Sequence, residues 1–277
     1  MVIDIHVHCF PDEVAQRSIS VRSQMFRIAP VIDGTVRGVK TSMIESGVDV
    51  CVLQPIAMKP EQTVKMNRWA VNVKDERVIS FGTIHPDFPN WRQEIKWLAR
   101  EGIKGVKFHS DCQGYYVDDV HMFDIYEAVF NEGLIALFHS GVDRAFQQPF
   151  HCTPSRLRKV LNAFLGARII AAHMGGYRYW DDVEKYLIGS DIYFDTAYSI
   201  HELGKDRAEI FIKNHGVEKI LFGTDSPWRN QAMDISLIKS LDLDIDDIHG
   251  ILGNNAAKLL GLTDNILQYN NRRQIAK

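Results

Sequence analysis

Two histidines separated by one residue stand near the start of the chain, His6 and His8 in the run Val2 to His8. Side chains of an extended strand alternate with a period of two. Both imidazoles therefore leave the same face, about 7 Å apart along the backbone. A neutral imidazole is a common ligand of divalent metal ions, so two on one rigid strand make half of a metal site. The pattern also arises by chance, as two hydrogen-bonded histidines of an ordinary core. Three further residues favour the metal. His139, His173 and Asp225 end three separate apolar runs, LIALFH, RIIAAH and KILFGTD. Burying so many polar groups without a purpose is costly.

These residues meet only if the runs are strands of one sheet. Eight strand candidates recur, at 2–8, 49–56, 78–84, 103–109, 134–139, 168–173, 191–197 and 219–225. Helix-period segments lie between them, at 60–74, 91–101, 120–131, 154–164 and 206–214, and a last one covers 246–260. Gly47, Gly102, Gly133, Gly166 and Gly216 each stand where a helix must stop before the next strand. Near-continuously apolar strands alternating with helices describe a parallel sheet covered on both faces. Eight such units in about 250 residues predict a closed (β/α)8 TIM barrel, whose strand ends converge on one active face. A doubly wound open sheet is the competing fold. It carries a Gly-rich loop after its first strand, where this chain has Cys9-Phe10-Pro11-Asp12. The first connection, 9–36, is too long for an ordinary loop and is expected to be a lid or small insertion over the strand ends. No shift in composition marks a second domain, so 1–277 reads as one.

Composition narrows the partners. Against 35 Asp plus Glu stand 32 Lys plus Arg in 277 residues, a formal charge of −3. That balance argues against nucleic acid as a partner, which calls for clustered positive charge. No apolar run approaches the ~18 residues of a membrane span, and no basic and apolar leader precedes the first strand. Four cysteines without a C-x-x-C pair read as reduced thiols. A cytoplasmic enzyme acting on a small molecule is therefore expected. A homodimer is compatible with the barrel, although no feature marks an interface.

The strings D-I-H-V-H, G-V-K-F-H, F-H-S-G, A-A-H-M-G-G and F-G-T-D-S-P-W follow one another along the chain, and N-N-A-A-K-L-L-G-L closes it. In type and order they resemble the amidohydrolase superfamily, most closely the group that includes aminocarboxymuconate-semialdehyde decarboxylase. The resemblance runs from residue 2 to about 262. It implies His6, His8, His139 and Asp225 as ligands of one divalent ion, zinc first and manganese second. It implies His173 as a polarising or proton-transferring neighbour. Catalytic zinc commonly takes three protein ligands and water, so four imply five-coordination or an exchanging Asp225. Zinc brings a bound water to a pKa near 7. Asp225 would take that proton and later return it, with His173 stabilising an oxyanion.

Lys107 and His109 share one face of the fourth strand. Binuclear members of the superfamily bridge two metals with a carboxylated lysine from this strand. Here Lys107 is expected as a buried or substrate-side group, and His109 as a pocket residue. Arginine grips carboxylates bidentately. Arg229, four residues beyond Asp225, leads Arg17, Arg22, Arg27 and Arg144 as the substrate anchor. Trp228, Tyr115 and Tyr116 are candidate aromatic wall. His85 is expected to cap its strand, and spacing gives no role to His121, His151, His201, His215 or His249. The first functional reading is a metal-dependent hydrolase of a small, carboxylate-bearing amide, lactone or ester. The alternative is a metal-dependent non-oxidative decarboxylase of a small unsaturated or aromatic acid. A non-catalytic metal-binding barrel ranks third, because both His173 and Asp225 are present.

Overall fold

The computed structural model describes residues 1–262; the segment 263–277, part of the single-domain expectation, lies outside the described residues. The strands are β1 (Ile3–Val7), β2 (Val50–Leu53), β3 (Val78–Ser80), β4 (Gly82–Thr83), β5 (Gly105–Phe108), β6 (Ile135–Phe138), β7 (Ile169–Ala171), β8 (Tyr193–Asp195) and β9 (Ile220–Leu221). Pairing is parallel throughout, in the orders β1-β2-β3 and β4-β5-β6-β7-β8-β9. β3 and β4 are one strand in two pieces, because Phe81 N–H between them still donates to Leu53 O at 2.9 Å. Backbone bonds close the other seam: Ile5 N–H to Phe222 O and Asp225 N–H to His6 O, each 2.9 Å, and His8 N–H to Ser226 O at 2.6 Å. The result is the predicted barrel of eight parallel strands.

The helices follow the apolar periodicity closely. Val120–Asn131 is as predicted, while Trp91–Arg100 and Pro154–Ala163 are each one residue shorter. The closing segment runs Ile245–His249, widens over Gly250–Asn254 and ends as Asn255–Leu260. The long first connection holds a helix of its own, α1 (Asp12–Phe26), before the barrel helix α2 (Val36–Ser46). Only Ala15 and Ile19 of α1 are buried. Among the described residues no helix is long and apolar enough to cross a membrane, and all four cysteines are free.

Two apolar layers meet on the strands. Ile3, Ile5, Val52, Phe81, Leu137 and Ile170 belong to one core cluster; Val7, Leu53, Val106 and Phe138 belong to another, packed with the helices. β1 changes sides midway. Its register against β2 shifts between Asp4 and Val7, a bulge of the kind that re-aims side chains beside active sites. Below the shift Ile3 and Ile5 fill the interior, and Asp4 ties β1 to Thr224 (2.6 Å) and Gln231 (2.8 Å). Above it, His6 is the residue that reaches inward. Gly223 makes room, since a Cβ there would lie 3.0 Å from His6 Cβ.

His215, given no role by its spacing, is structural. It stacks on Phe194 with ring centres 3.8 Å apart, its Nε2–H donates to Ile192 O at 2.7 Å and its Nδ1 accepts Gly189 N–H at 3.2 Å. Burial lowers its pKa from 6.5 to about 4. The folded state refuses a proton that the unfolded state accepts, so this group's stabilisation is complete above pH 6.5 and is lost as pH falls toward 4. The slope reaches at most about 1.4 kcal/mol per pH unit. In denaturant titrations between pH 6.5 and 4.5, His215→Gln should flatten the fall in unfolding free energy. Parallel curves for the two proteins would contradict this role.

Candidate metal and active centre

The strand ends gather the chemistry that the sequence distributes. Asp195, at the end of β8, is fully buried. One of its oxygens accepts His6 Nδ1–H at 2.8 Å, and the other accepts the backbone N–H of His173 at 2.8 Å and of Ala197 at 3.1 Å. His8 Nδ1–H donates to Gln54 O and His173 Nδ1–H donates to Ala197 O, both at 2.9 Å. Each of these partners can only accept, so each ring carries a proton on Nδ1, and the tautomer this selects turns a lone pair outward from Nε2.

Three acceptor atoms then converge. His6 Nε2 lies 3.2 Å from His8 Nε2. Asp225 Oδ1 lies 3.2 Å from His8 Nε2 and 3.6 Å from His6 Nε2. Burial first, and then the ammonium of Lys107, hold His6 well below the ordinary imidazole pKa. Burial raises Asp225, but its close contact with the His8 ring and the other nearby imidazoles outweigh burial and leave the carboxyl below its usual range. Lys107 Nζ meets the His6 lone pair from beneath at 3.1 Å, while the lone pair of His8 and the Asp225 carboxylate face each other across the opening, an arrangement that a cation among them would relieve. Two nitrogens bound at about 2.1 Å to one tetrahedral ion lie roughly 3.4 Å apart. The spacing and the donor set fit a divalent ion. His6, His8 and Asp225 form such a group with ligand atoms within 4.8 Å of one another.

His139 stands one step away. Its Nδ1–H donates to His173 Nε2 at 3.0 Å, and its Nε2 is buried without a partner. Its ligand atoms group instead with His109 and Asp143. His109 Nε2 lies 3.2 Å from an Asp143 carboxylate oxygen. The rings of His109 and His139 stack 4.1 Å apart and only 8° from parallel. In-plane lone pairs of stacked rings do not meet at one point, so this second group is an orienting pair and not a second ion site. His173 has both nitrogens engaged; stabilising an oxyanion would require one of those contacts to open.

Backbone strain marks the same residues. His173 and Asp225 have φ of 62° and 68°, left-handed values that cost a residue other than glycine about 1 kcal/mol each. Asp195 holds the first through its N–H, and His6 O holds the second at 2.9 Å.

A cavity of about 920 Å³ opens over the centre, with His8, His109, His139, His173 and Asp225 in its lining. The rest of its wall is largely apolar, with Phe10, Phe26 and Met25 from the first connection and Trp228 after Asp225. Arg229 does not reach the cavity: its Nε–H is taken by Asp234 at 3.1 Å, a partner five residues away. Lys107 does not line it either. Its Nζ lies beneath the centre, 3.1 Å from His6 Nε2, and burial pulls its pKa down to about 8. Tyr115 is buried and Tyr116 packs on His151. His85 caps its strand as expected, accepting Asp87 N–H at 3.2 Å. Sequence reasoning missed Asp195 and Asp143. Asp195 was findable, since it alternates with Tyr193 on the same face of a predicted strand.

A parallel eight-stranded barrel with imidazoles and a carboxylate at its strand ends defines a (β/α)8 enzyme with a metal-type centre. The amidohydrolase family profile matches residues 3–262, and the chain belongs to that family of enzymes. No curated protein sequence matches the chain. Solved structures share its fold. 5-Carboxyvanillate decarboxylase from Sphingomonas paucimobilis is 17% identical with a TM-score of 0.70, covering 94% of this chain and 98% of its own. 2,6-Dihydroxybenzoate decarboxylase from Rhizobium is 16% identical with a TM-score of 0.69, covering 95% and 99%. A dihydroxybenzoic acid decarboxylase from Polaromonas, with bound manganese and 2-nitroresorcinol, is 16% identical with a TM-score of 0.71, covering 95% and 97%.

Asp195 fixes the tautomer of His6, so removing its charge should weaken metal binding more than folding. Asp195→Asn is expected to lower Mn²⁺ or Zn²⁺ affinity 10- to 100-fold, read by chelator competition. Unchanged affinity in a folded variant would contradict this role.

Proposed function

We propose that the protein is a metal-dependent, non-oxidative decarboxylase of a small aromatic or unsaturated acid. The observation that carries the reading is the convergence of His6 Nε2, His8 Nε2 and Asp225 Oδ1 beneath a largely apolar cavity. The order of the two readings from the sequence therefore reverses. Hydrolase came first on the habit of the superfamily. Several solved structures similar in fold carry the names of decarboxylases, and the apolar wall suits a flat ring.

His6, His8 and Asp225 would hold one divalent ion, manganese or zinc, with His139 supplying the fourth donor through its unpartnered Nε2. A bound ion would fix the substrate carboxylate and a neighbouring oxygen and draw negative charge from them. Asp225, ionised in this setting, takes the proton of a hydroxyl beside the carboxylate and delivers it to the carbon bearing that group. The C–C bond to the carboxylate then breaks, its electron pair returns to the ring, and CO₂ leaves. Solvent restores the proton to the product oxygen. His173 orients His139, and His109, held by Asp143, backs it from the other side. The apolar wall keeps water from the carbon while it is electron-rich.

Metal analysis of the loaded protein should give one ion per chain; two ions, with Lys107 carboxylated, would contradict the single centre. Incubated with hydroxybenzoic and enoic acids, and separately with lactones and amides, the manganese-loaded protein should release CO₂ from an acid. His8→Ala and Asp225→Asn should lower that rate at least 100-fold. Hydrolysis of a lactone or amide without CO₂ release, or full turnover by both variants, would overturn the reading.

A further inference from the structure

The cavity over the centre changes character along its wall. The metal-type donors and their neighbours line its base, His8, His109, His173 and Asp225 among them. Its outer part is lined by Val14, Val21 and Met25 of α1 and by Met58 and Met66, which follow β2. The two stretches meet where the Arg22 guanidinium reaches Met58 Sδ at 3.5 Å. Residues 14, 21 and 25 fall on one face of a helix, while Ala15 and Ile19 are the residues that α1 buries. That cavity-facing stripe is left open. Val14 is 42% exposed, Val21 46%, Met25 44% and Met58 39%, although each lines the cavity.

Apolar side chains held against water in a concave site favour an apolar group that covers them. The space available is large. About 920 Å³ stands near the upper end of small-molecule pockets, which run from roughly 300 to 1,000 Å³. A single-ring acid over the centre fills a small part of it and leaves the outer stripe wet. Methionine adapts its shape to an irregular apolar ligand, and Met25, Met58 and Met66 all stand in this outer part. The charged residues of the same lining leave its character intact. Glu13, Arg17 and Lys65 are exposed, so their charged heads stay in water. The Arg22 guanidinium lies 4.7 Å from the centre of the Phe10 ring, a cation seated on an aromatic face.

We infer that the outer part of the cavity, walled by Val14, Val21, Met25 and Met58, is a subsite for an apolar substituent of the substrate about the size of a second ring. This rests on the decarboxylase reading and narrows its substrate class to aromatic acids that carry such a group. The carboxylate lies over the His6, His8 and Asp225 centre. The substituent lies along the α1 stripe and takes from water the apolar surface that a single-ring acid leaves open.

Binding tests this apart from turnover. The probes are 2-nitrophenol, 4-phenyl-2-nitrophenol and 5-phenyl-2-nitrophenol, whose planar nitro group stands for the carboxylate and cannot leave as CO₂. They are titrated calorimetrically into the manganese-loaded protein, into the double variant Val21→Gln with Met58→Gln, and into the double variant Val21→Leu with Met58→Leu. One of the two phenyl compounds should bind the parent protein at least tenfold more tightly than 2-nitrophenol. The glutamine variant should lose most of that advantage and hold 2-nitrophenol within about twofold, and the leucine variant should keep it. A phenyl compound bound no more tightly than 2-nitrophenol, or an advantage undiminished in the glutamine variant, would overturn the assignment. An equal loss for all three compounds in that variant would overturn it too, because it shows a general effect on the cavity. The matching phenylsalicylate should release CO₂ with a kcat/KM at least tenfold above that of salicylate; a higher value for salicylate would overturn the substrate class. If neither acid releases CO₂ yet the advantage dependent on Val21 and Met58 is found, the decarboxylase reading fails and the apolar subsite stands.

Discussion

A single buried carboxylate organises the centre. Asp195 has no exposed surface, and its two oxygens take the ring of His6 and the backbone N–H groups of His173 and Ala197. Burial raises its pKa, while the nearby His173 ring, the N–H groups of His173 and Ala197 and the Lys107 ammonium lower it. The contact with His6 selects the tautomer that leaves Nε2 free. The contact with His173 holds a left-handed backbone that would otherwise relax. Strands β1, β7 and β8 are tied together at the level where the metal-type donors converge. Without that carboxylate, the His6 ring would lose its fixed direction and the His173 backbone its hold.

The barrel supplies what Asp195 cannot. Parallel strands bring residues more than 200 positions apart, such as His8 and Asp225, to 3.2 Å. Backbone bonds across the closing seam hold that distance, since His8 N–H and Asp225 N–H both belong to it. The bulge in β1 turns His6 inward immediately above an apolar floor. Low polarity there keeps the His6 imidazole neutral, the form that binds metal. The first connection then adds a wall of different character, apolar but for Glu13, Arg17, Ser18 and Arg22.

Much of this was legible in the chain. Apolar runs separated by helix-period segments gave the strand count, because a parallel barrel buries both faces of every strand. His6, His8, His139, His173 and Asp225 were legible because each ends a run, where parallel strands place their functional groups. Other features were not. The face that Asp195 takes on its strand was readable, but its worth arises from a partner 189 residues away, which the sequence does not display. The β1 bulge depends on pairing with β2, which no periodicity in β1 reveals. Arg229 was ranked by its nearness to Asp225 in sequence. In space, Asp234 at the start of the following helix satisfies it first.

The central claim is that His6 and His8 present unprotonated Nε2 atoms to a shared ion together with Asp225. Anomalous diffraction from crystals of the manganese-loaded protein tests it most directly. The account predicts one strong peak per chain, bonded to Nε2 of His6, to Nε2 of His8 and to the Asp225 carboxylate, with Asp195 still on Nδ1 of His6. A peak centred between His109 and Asp143, or one bonded to neither His6 nor His8, would contradict it.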